Sequence, residues 1–445
     1  MTTYTVTGGT PLRGKVELRG AKNAGFKEMI AALLADTPSQ ICNLGLISEI
    51  NFASQIIQTL GGRVVPRTDP HCVEVDPAGI GNFEIPSEMS SKSRFSMMYA
   101  GPLLSRFGKV AFPQPGGDKF AKRPIDRHID GLRALGAEVE FKNDTFFASA
   151  PNGLIGTTYH FPKSTHNGTE VLILAAVKAR GTTILENAAA EPEIDDMIKF
   201  LNTMGAKITR VEPRTIKIDG VSSLKGVTHH VMPDRNEAVT YACMALGTRG
   251  DVSVYKANPS VLKEFLEKAE ESGGGIQISS DYIRVYFKGP LNGTHVITAP
   301  YPGFMTDWQP LWATLMTQAS GESIVHETIY ENRFDYVPGL IEMGARIESY
   351  EPDVPDPDEF YSFNLSDDTP RSKHAIKIFG PCNLTGNHVE VNDIRSGATA
   401  LLAGMIAQGT TTIFDPKDQI KRGYEDLAGR LTSLGAHIEI TTDTV

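Results

Sequence analysis

Cysteine, tryptophan and positive charge are all scarce in this chain. Of 445 residues only four are Cys and two are Trp, and 53 acidic side chains against 43 Lys and Arg leave a formal charge of −10. That balance excludes a surface built to hold nucleic acid or an anionic membrane, although a few converging Arg and Lys side chains can still bind a small anion. Cys42, Cys72, Cys243 and Cys382 are scattered without a CxxC pair. Neither metal-ligand spacing nor a disulfide framework is indicated, and a reducing compartment is expected. The start, Met1-Thr2-Thr3-Tyr4, has no basic or apolar segment of a secretory signal. The longest apolar stretches, such as Met29–Leu34, fall far short of the roughly 20 residues that span a bilayer. A cytoplasmic protein is expected, with no nucleic-acid or membrane partner.

What is present is ordinary globular material, 40% hydrophobic and 22% charged, in a chain too long for one core, so two domains are expected. One phrase then recurs six times: an apolar or small residue, Gly, Gly or Ala, and an alternating run. It stands at Gly61, Gly136, Gly205, Gly273, Gly344 and Gly435. Such a Gly suits a left-handed helix C-cap and the alternation suits a strand. The first five copies lie roughly 70 residues apart, well beyond the ~20–50 of short solenoids. The last spacing is longer because of a Pro- and Asp-rich stretch, 350–373, read as a surface insertion.

A second phrase, an apolar helix followed by a Gly turn and a β-branched strand, precedes the cap in most units, as in Val171–Asn187 and Thr399–Asp415. Each unit reads strand–helix–strand–helix–strand. The fold class expected is α/β, two domains of three βαβαβ-type units with apolar helices inside and strands covering them. The domains are 22–232, and 1–21 plus 233–445; the N-terminal strand pairs with either one on this reading.

The helices open with polar or basic phrases: Arg19–Gly25, Ser91–Ser96, Ser164–Glu170, Pro233–Ala238, Met305–Pro310 and Asn392–Gly397. Helix N-termini attract anions through free N–H groups and partial positive charge. Lys22, Arg94 and Arg395 at these starts strengthen that attraction, although any one of them is also what ordinary capping and solvated charge produce. The loop Pro113–His128 places two Gly, three Pro and five basic residues around Asp118. It reads as a mobile lid (113–124) carrying an acid, or as a plain solvated loop.

In order, Gly20–Ala24 (GAKNA), Arg123–His128, Glu186–Ile194 (ENAAAEPEI), Pro233–Arg235, Thr306–Gln309, Glu331–Phe334 (ENRF) and Arg422–Glu425 (RGYE) resemble the UDP-N-acetylglucosamine 1-carboxyvinyltransferases over nearly the whole chain. The resemblance implies an inside-out, two-domain α/β barrel of the EPSP synthase kind, with the active site in the interdomain cleft. It implies transfer of the enolpyruvyl group of phosphoenolpyruvate to the sugar 3-hydroxyl through a tetrahedral ketal, in peptidoglycan precursor synthesis. The related shikimate enzyme typically opens its first helix with Ser-Lys-Ser, where this chain has Ala21-Lys22-Asn23.

Carried over position by position, the resemblance gives Asp118, Lys22, Asp307 and Arg422 catalytic roles. It places Lys22, Asn23, Arg123, Arg333, Arg395 and Arg422 on phosphoenolpyruvate. It places Asn23, Arg94, Arg123, Pro124, Ile125, Asp126, Arg127, His128, Lys163, Thr165, His166, Asn167, Asp307 and Ile329 on UDP-N-acetylglucosamine. No metal or organic cofactor is implied, and the chain is expected to be a monomer or weak homo-oligomer.

Some positions depart from the family. Asp118 stands where most members carry the Cys alkylated by fosfomycin, which predicts resistance. Thr165-His166-Asn167, Arg127 and Met98 differ at the nucleotide end. Those changes leave open a paralogue acting on another uridine nucleotide, or a non-catalytic protein that binds a UDP-sugar.

Overall fold

The computed structural model describes every residue except 92–93, 117–120, 370 and 443–445. The chain divides into two compact units: Gly20–Lys119 with Arg123–Met232, and Met1–Arg19 with Phe120–Lys122 and Pro233–Val445.

Among the described residues each unit contains three sheets. In the first they contain the strands Ser39–Cys42, Lys109–Pro113 and Thr182–Glu186; in the second, Asp251–Tyr255, Gly321–His326 and Thr410–Asp415. Six helices supply the interior: α1 (Lys22–Ala31), α2 (Ala100–Phe107) and α3 (His166–Ala176) in the first unit, and α4 (Arg235–Gly247), α5 (Gln309–Met316) and α6 (Ile394–Ile406) in the second. Every residue of α4 is buried, as are all but one of α6. A helix apolar on all sides is stable only when it is surrounded, and α4, α5 and α6 pack pairwise against one another beneath their sheets. Outer helices such as Lys263–Glu271 instead bury one stripe, Phe265, Leu266 and Ala269. The result is an inside-out α/β arrangement, with helices central and strands outside.

All six repeat glycines take positive φ, between 88° at Gly136 and 109° at Gly205. Only glycine adopts that conformation without Cβ strain, which is why the phrase persists through six units. The units differ from the sequence reading in one respect. In five of them the strand after the glycine turns back as a hairpin, adding a fourth strand or, in the sheet of Lys109–Pro113, a third. In the sixth, the N-terminal strand Thr2–Thr7 takes that place, lying antiparallel between Thr410–Asp415 and His437–Thr442. The N-terminal strand, assignable to either domain from sequence, thus belongs to the second unit.

The 350–373 stretch forms the loop of the hairpin made by Ile347–Tyr350 and Ala375–Gly380. Most of it is exposed, but Tyr361 and Phe363 are buried and stack on each other, and Phe363 stacks on His374, whose Nδ1 lies 2.7 Å from Glu351. A polar composition concealed this small aromatic core.

One expectation is corrected. Cys42 and Cys72 form a disulfide, where the scattered cysteines had indicated none. They lie 30 residues apart in sequence, but antiparallel pairing of Ile41 with Val73 sets them opposite each other in the same sheet. Register, which spacing does not reveal, brings them together. Among the described residues no helix is long and apolar enough to cross a membrane.

Candidate active site

In the second unit the expected side chains gather around Asp307. Arg395 Nη2 lies 3.1 Å from one oxygen of Asp307 and Arg333 Nη2 lies 3.7 Å from the other. Both arginines are buried, whereas the Asp307 side chain keeps 28% exposure. The two guanidinium groups therefore hold a carboxylate that solvent or a ligand can still reach.

Local structure explains the placement. Asp393 caps α6 by accepting the N–H groups of Arg395 and Ser396, and Ser396 Oγ accepts the Asp393 N–H in return. This capping box fixes the first turn, so Arg395 emerges at the helix start. Asp393 also lies 3.6 Å from Arg333 Nη1, so one cap serves both arginines. Arg395 Nη1 donates to Tyr424 Oη at 2.8 Å, and Tyr424 meets Thr240 Oγ1 of α4 at 2.9 Å. Burial works against charge on Arg395, but Tyr424, Asp307 and Asp234 outweigh it and keep the guanidinium charged. Arg422 donates to Gln419 Oε1 at 2.6 Å, and Gln419 donates to the carbonyl of Asn392 beside the same cap.

The loop carrying Arg333 is tied from beneath by Glu327, which is 1% exposed. It accepts the Ile329 N–H at 2.8 Å and the Thr306 hydroxyl at 2.9 Å, linking that loop to the turn of Asp307. Burial raises its pKa. Glu331 accepts the Lys122 N–H at 2.6 Å, and Lys122 Nζ lies 3.5 Å from Asp367 of the 350–373 loop. The end of the expected lid is thus tethered on two sides. Asp118 itself lies outside the described residues.

The first unit supplies a separate set. Lys22 and Asn23 open α1, and Lys22 Nζ lies 5.8 Å from the ring of Phe26, which packs 4.5 Å from Phe95 beside Arg94. Arg123 takes φ +46° ahead of Pro124, a costly left-handed conformation for a side chain of that size. Asp126 and Arg127 open the helix Asp126–Ala134, and Ile125 is buried. His128 is buried too, with neither ring nitrogen hydrogen-bonded among the described residues. Burial, reinforced by Arg94, pushes its pKa down to about 3, so it is neutral and faces the interior.

Lys163 and Asn167 are half-buried at the start of α3, where Thr165 accepts the Gly168 N–H. Asn187 of the ENAAAEPEI phrase donates to the carbonyl of Phe161 at 2.8 Å, so that phrase supports the approach to α3.

His166 belongs to a buried cluster that sequence reasoning missed. Glu170 accepts from Lys27 Nζ at 2.6 Å and lies 3.1 Å from His166 Nε2; its side chain is 1% exposed and that of Lys27 is 4% exposed. Burial disfavours the imidazolium, yet Glu170 outweighs it and raises the pKa of His166, while His166 and Lys27 lower that of Glu170. The lowered Glu170 contributes stability above its unfolded value of about 4.3 that is lost in acid; the raised His166 contributes below about 6.5 and loses it as pH rises. Lys27→Met leaves Glu170 with one partner fewer and is expected to lower unfolding stability by about 3 kcal/mol at pH 6, while Lys27→Met with Glu170→Leu recovers much of it. Urea denaturation of the three proteins checks this.

Of the missed residues Asp393, Tyr424 and Glu327, the first two carried a signal. Asp393 sits inside the phrase Asn392–Gly397 two residues before Arg395, and Tyr424 sits inside Arg422–Glu425 although the arginine it holds is the distant Arg395.

The EPSP synthase (3-phosphoshikimate 1-carboxyvinyltransferase) family model matches residues 6–431. The chain belongs to that family. Among its relatives in the EPSP synthase family, UDP-N-acetylglucosamine 1-carboxyvinyltransferase 3 of Caldanaerobacter subterraneus subsp. tengcongensis is 40% identical over 98% of this chain and 99% of its own. UDP-N-acetylglucosamine 1-carboxyvinyltransferase 1 of Staphylococcus aureus (strain MRSA252) is 37% identical with the same coverage. The fold matches the crystal structure of the enolpyruvyl transferase NikO from Streptomyces tendae at TM-score 0.85 and 22% identity, over 100% of this chain and 99% of that one. EPSP synthase from Acinetobacter baumannii matches at TM-score 0.73 and 18% identity, over 99% of this chain and 100% of that one.

Proposed function

We propose that this chain transfers the enolpyruvyl group of phosphoenolpyruvate to the 3-hydroxyl of UDP-N-acetylglucosamine in the cytoplasm, in peptidoglycan precursor synthesis. The observation that carries the proposal is Asp307 held by Arg333 and Arg395, in a chain 40% identical to a named 1-carboxyvinyltransferase.

In this mechanism Asp307 takes the proton of the sugar hydroxyl as the oxygen attacks C2 of phosphoenolpyruvate. The methylene carbon gains a proton from Asp118, giving a tetrahedral ketal. Loss of a methyl proton then restores the vinyl group and expels phosphate. Arg333 and Arg395 face the carboxylate, and Lys22, Arg123 and Arg422 the phosphate, where charge-assisted bonds stabilise developing charge. Asn23, Arg94, the 123–128 segment, Lys163, the 165–167 phrase and Ile329 hold the nucleotide sugar. Since the His128 ring faces the interior, its contribution comes through the backbone of its helix start. No organic cofactor enters.

Acceptor choice has a second reading, another uridine nucleotide, favoured by the charged His166–Glu170–Lys27 cluster at the start of α3. Phosphate release by purified protein, with UDP-N-acetylglucosamine, UMP or shikimate 3-phosphate as acceptor, separates the readings. Release with the UDP-sugar alone is expected. Release with UMP alone selects the second reading, and silence with all three makes the chain a nucleotide-sugar binder.

A further inference from the structure

We infer that Glu28, Asp196 and His229 form a binding site for one divalent transition-metal ion, Zn2+ by preference, in the first unit. The three residues come from α1, the helix Pro192–Met204 and the strand Thr228–His230. His229 Nε2 lies 3.3 Å from Glu28 Oε1 and 3.4 Å from Asp196 Oδ1, and one ligand atom from each residue falls within 4.8 Å of the others.

Those two separations match a metal polyhedron. Ligands bound at about 2.0–2.1 Å in a tetrahedron stand about 3.3–3.4 Å apart. They are poor as hydrogen bonds: among the described residues neither Glu28 oxygen nor His229 Nε2 has a hydrogen-bond partner, although Glu28 is fully buried and His229 is 6% exposed. Buried polar atoms left in this way are costly unless something else satisfies them.

Charge points the same way. As ligands, two carboxylates and a neutral imidazole carry two negative charges into a site walled by Phe200, whose ring is 5.1 Å from that of His229, and a divalent cation cancels them by displacing the protons the cluster otherwise holds. Asp196 is oriented from outside, its second oxygen accepting the Met232 N–H at 2.8 Å, the kind of support that metal-ligating carboxylates receive. An imidazole among the donors disfavours Mg2+ and Ca2+ and suits Zn2+ or Co2+. The ion would fasten α1, whose first turn carries Lys22 and Asn23, to the last helix and last strand of its own unit. Nothing in the inference depends on which acceptor the enzyme uses.

The test uses the full chain, stripped with EDTA and titrated with Zn2+ or Co2+. One equivalent per chain is expected, with the visible bands of tetrahedral Co2+ and a melting temperature raised by several degrees. Glu28→Gln keeps the side chain's shape and is expected to weaken binding at least tenfold and to remove the Co2+ bands. It also distinguishes a metal-free cluster, in which removing a buried charge leaves the zinc response unchanged. Equal stoichiometry and spectra in the wild type, Glu28→Gln and His229→Gln overturn the inference, as does a wild-type chain that takes up no ion. If the variants do not fold, the wild-type spectrum decides: six-coordinate bands or none overturn it.

Discussion

Asp307→Asn is expected to lower kcat by about 10^2- to 10^4-fold while leaving the KM for phosphoenolpyruvate unchanged or lower. The amide keeps the shape of the carboxylate but cannot accept the hydroxyl proton. The surrounding frame does not depend on it, because Arg395 is also bonded to Tyr424 and Arg333 also faces Asp393. Both guanidinium groups lose a competing anion, so the substrate carboxylate meets at least as much positive charge as before. Steady-state kinetics with saturating nucleotide sugar give the split. A kcat within fivefold of wild type means that Asp307 only braces the arginines.

Fosfomycin is expected to leave this enzyme active, and Asp118→Cys is expected to make it lose activity with time and completely. A cysteine thiolate attacks an epoxide carbon, the C–O bond opens, and the alkoxide takes up a proton, leaving a thioether. The Asp side chain at the same place is, as a carboxylate, a far weaker nucleophile toward an epoxide, and in its protonated form it can donate the proton that turnover needs. The variant should retain phosphate release, lose it irreversibly on incubation, and gain the mass of one inhibitor molecule on the peptide containing residue 118. Unmodified protein after prolonged incubation, or inactivation of the parent at the same rate, shows that position 118 is not the lid nucleophile.

The 350–373 stretch and the end of the segment expected to form a lid are related by contacts that composition alone does not suggest. Lys122, at the end of the 113–124 segment, is held by Glu331 through its backbone and by Asp367 through its side chain. Glu331 opens the ENRF phrase, whose third residue is Arg333. One short segment thus carries both a charged group of the site and an anchor of the loop expected to cover it.

The periodic features of this chain were legible directly. The six glycine phrases marked six positive-φ helix ends, and the apolar runs marked helices buried on every side, because both follow from local backbone conformation and side-chain character. Arg395 stood out at a helix start, whereas Arg333 and Arg422 were named through the family resemblance of their phrases. Pairing across long separations was decided only by the tertiary fold. Register set Cys42 against Cys72, placed Thr2–Thr7 between Thr410–Asp415 and His437–Thr442, and turned five caps into hairpins. Burial drew Lys27 to Glu170 and brought Glu28, Asp196 and His229 within a few ångströms, since a charged group removed from water requires a partner wherever the chain supplies one. The sequence by itself determined the repeat, its helices and the charged phrases at their starts. Which distant side chains meet depended on strand register and on the electrostatics of the interior, neither of which is a local property.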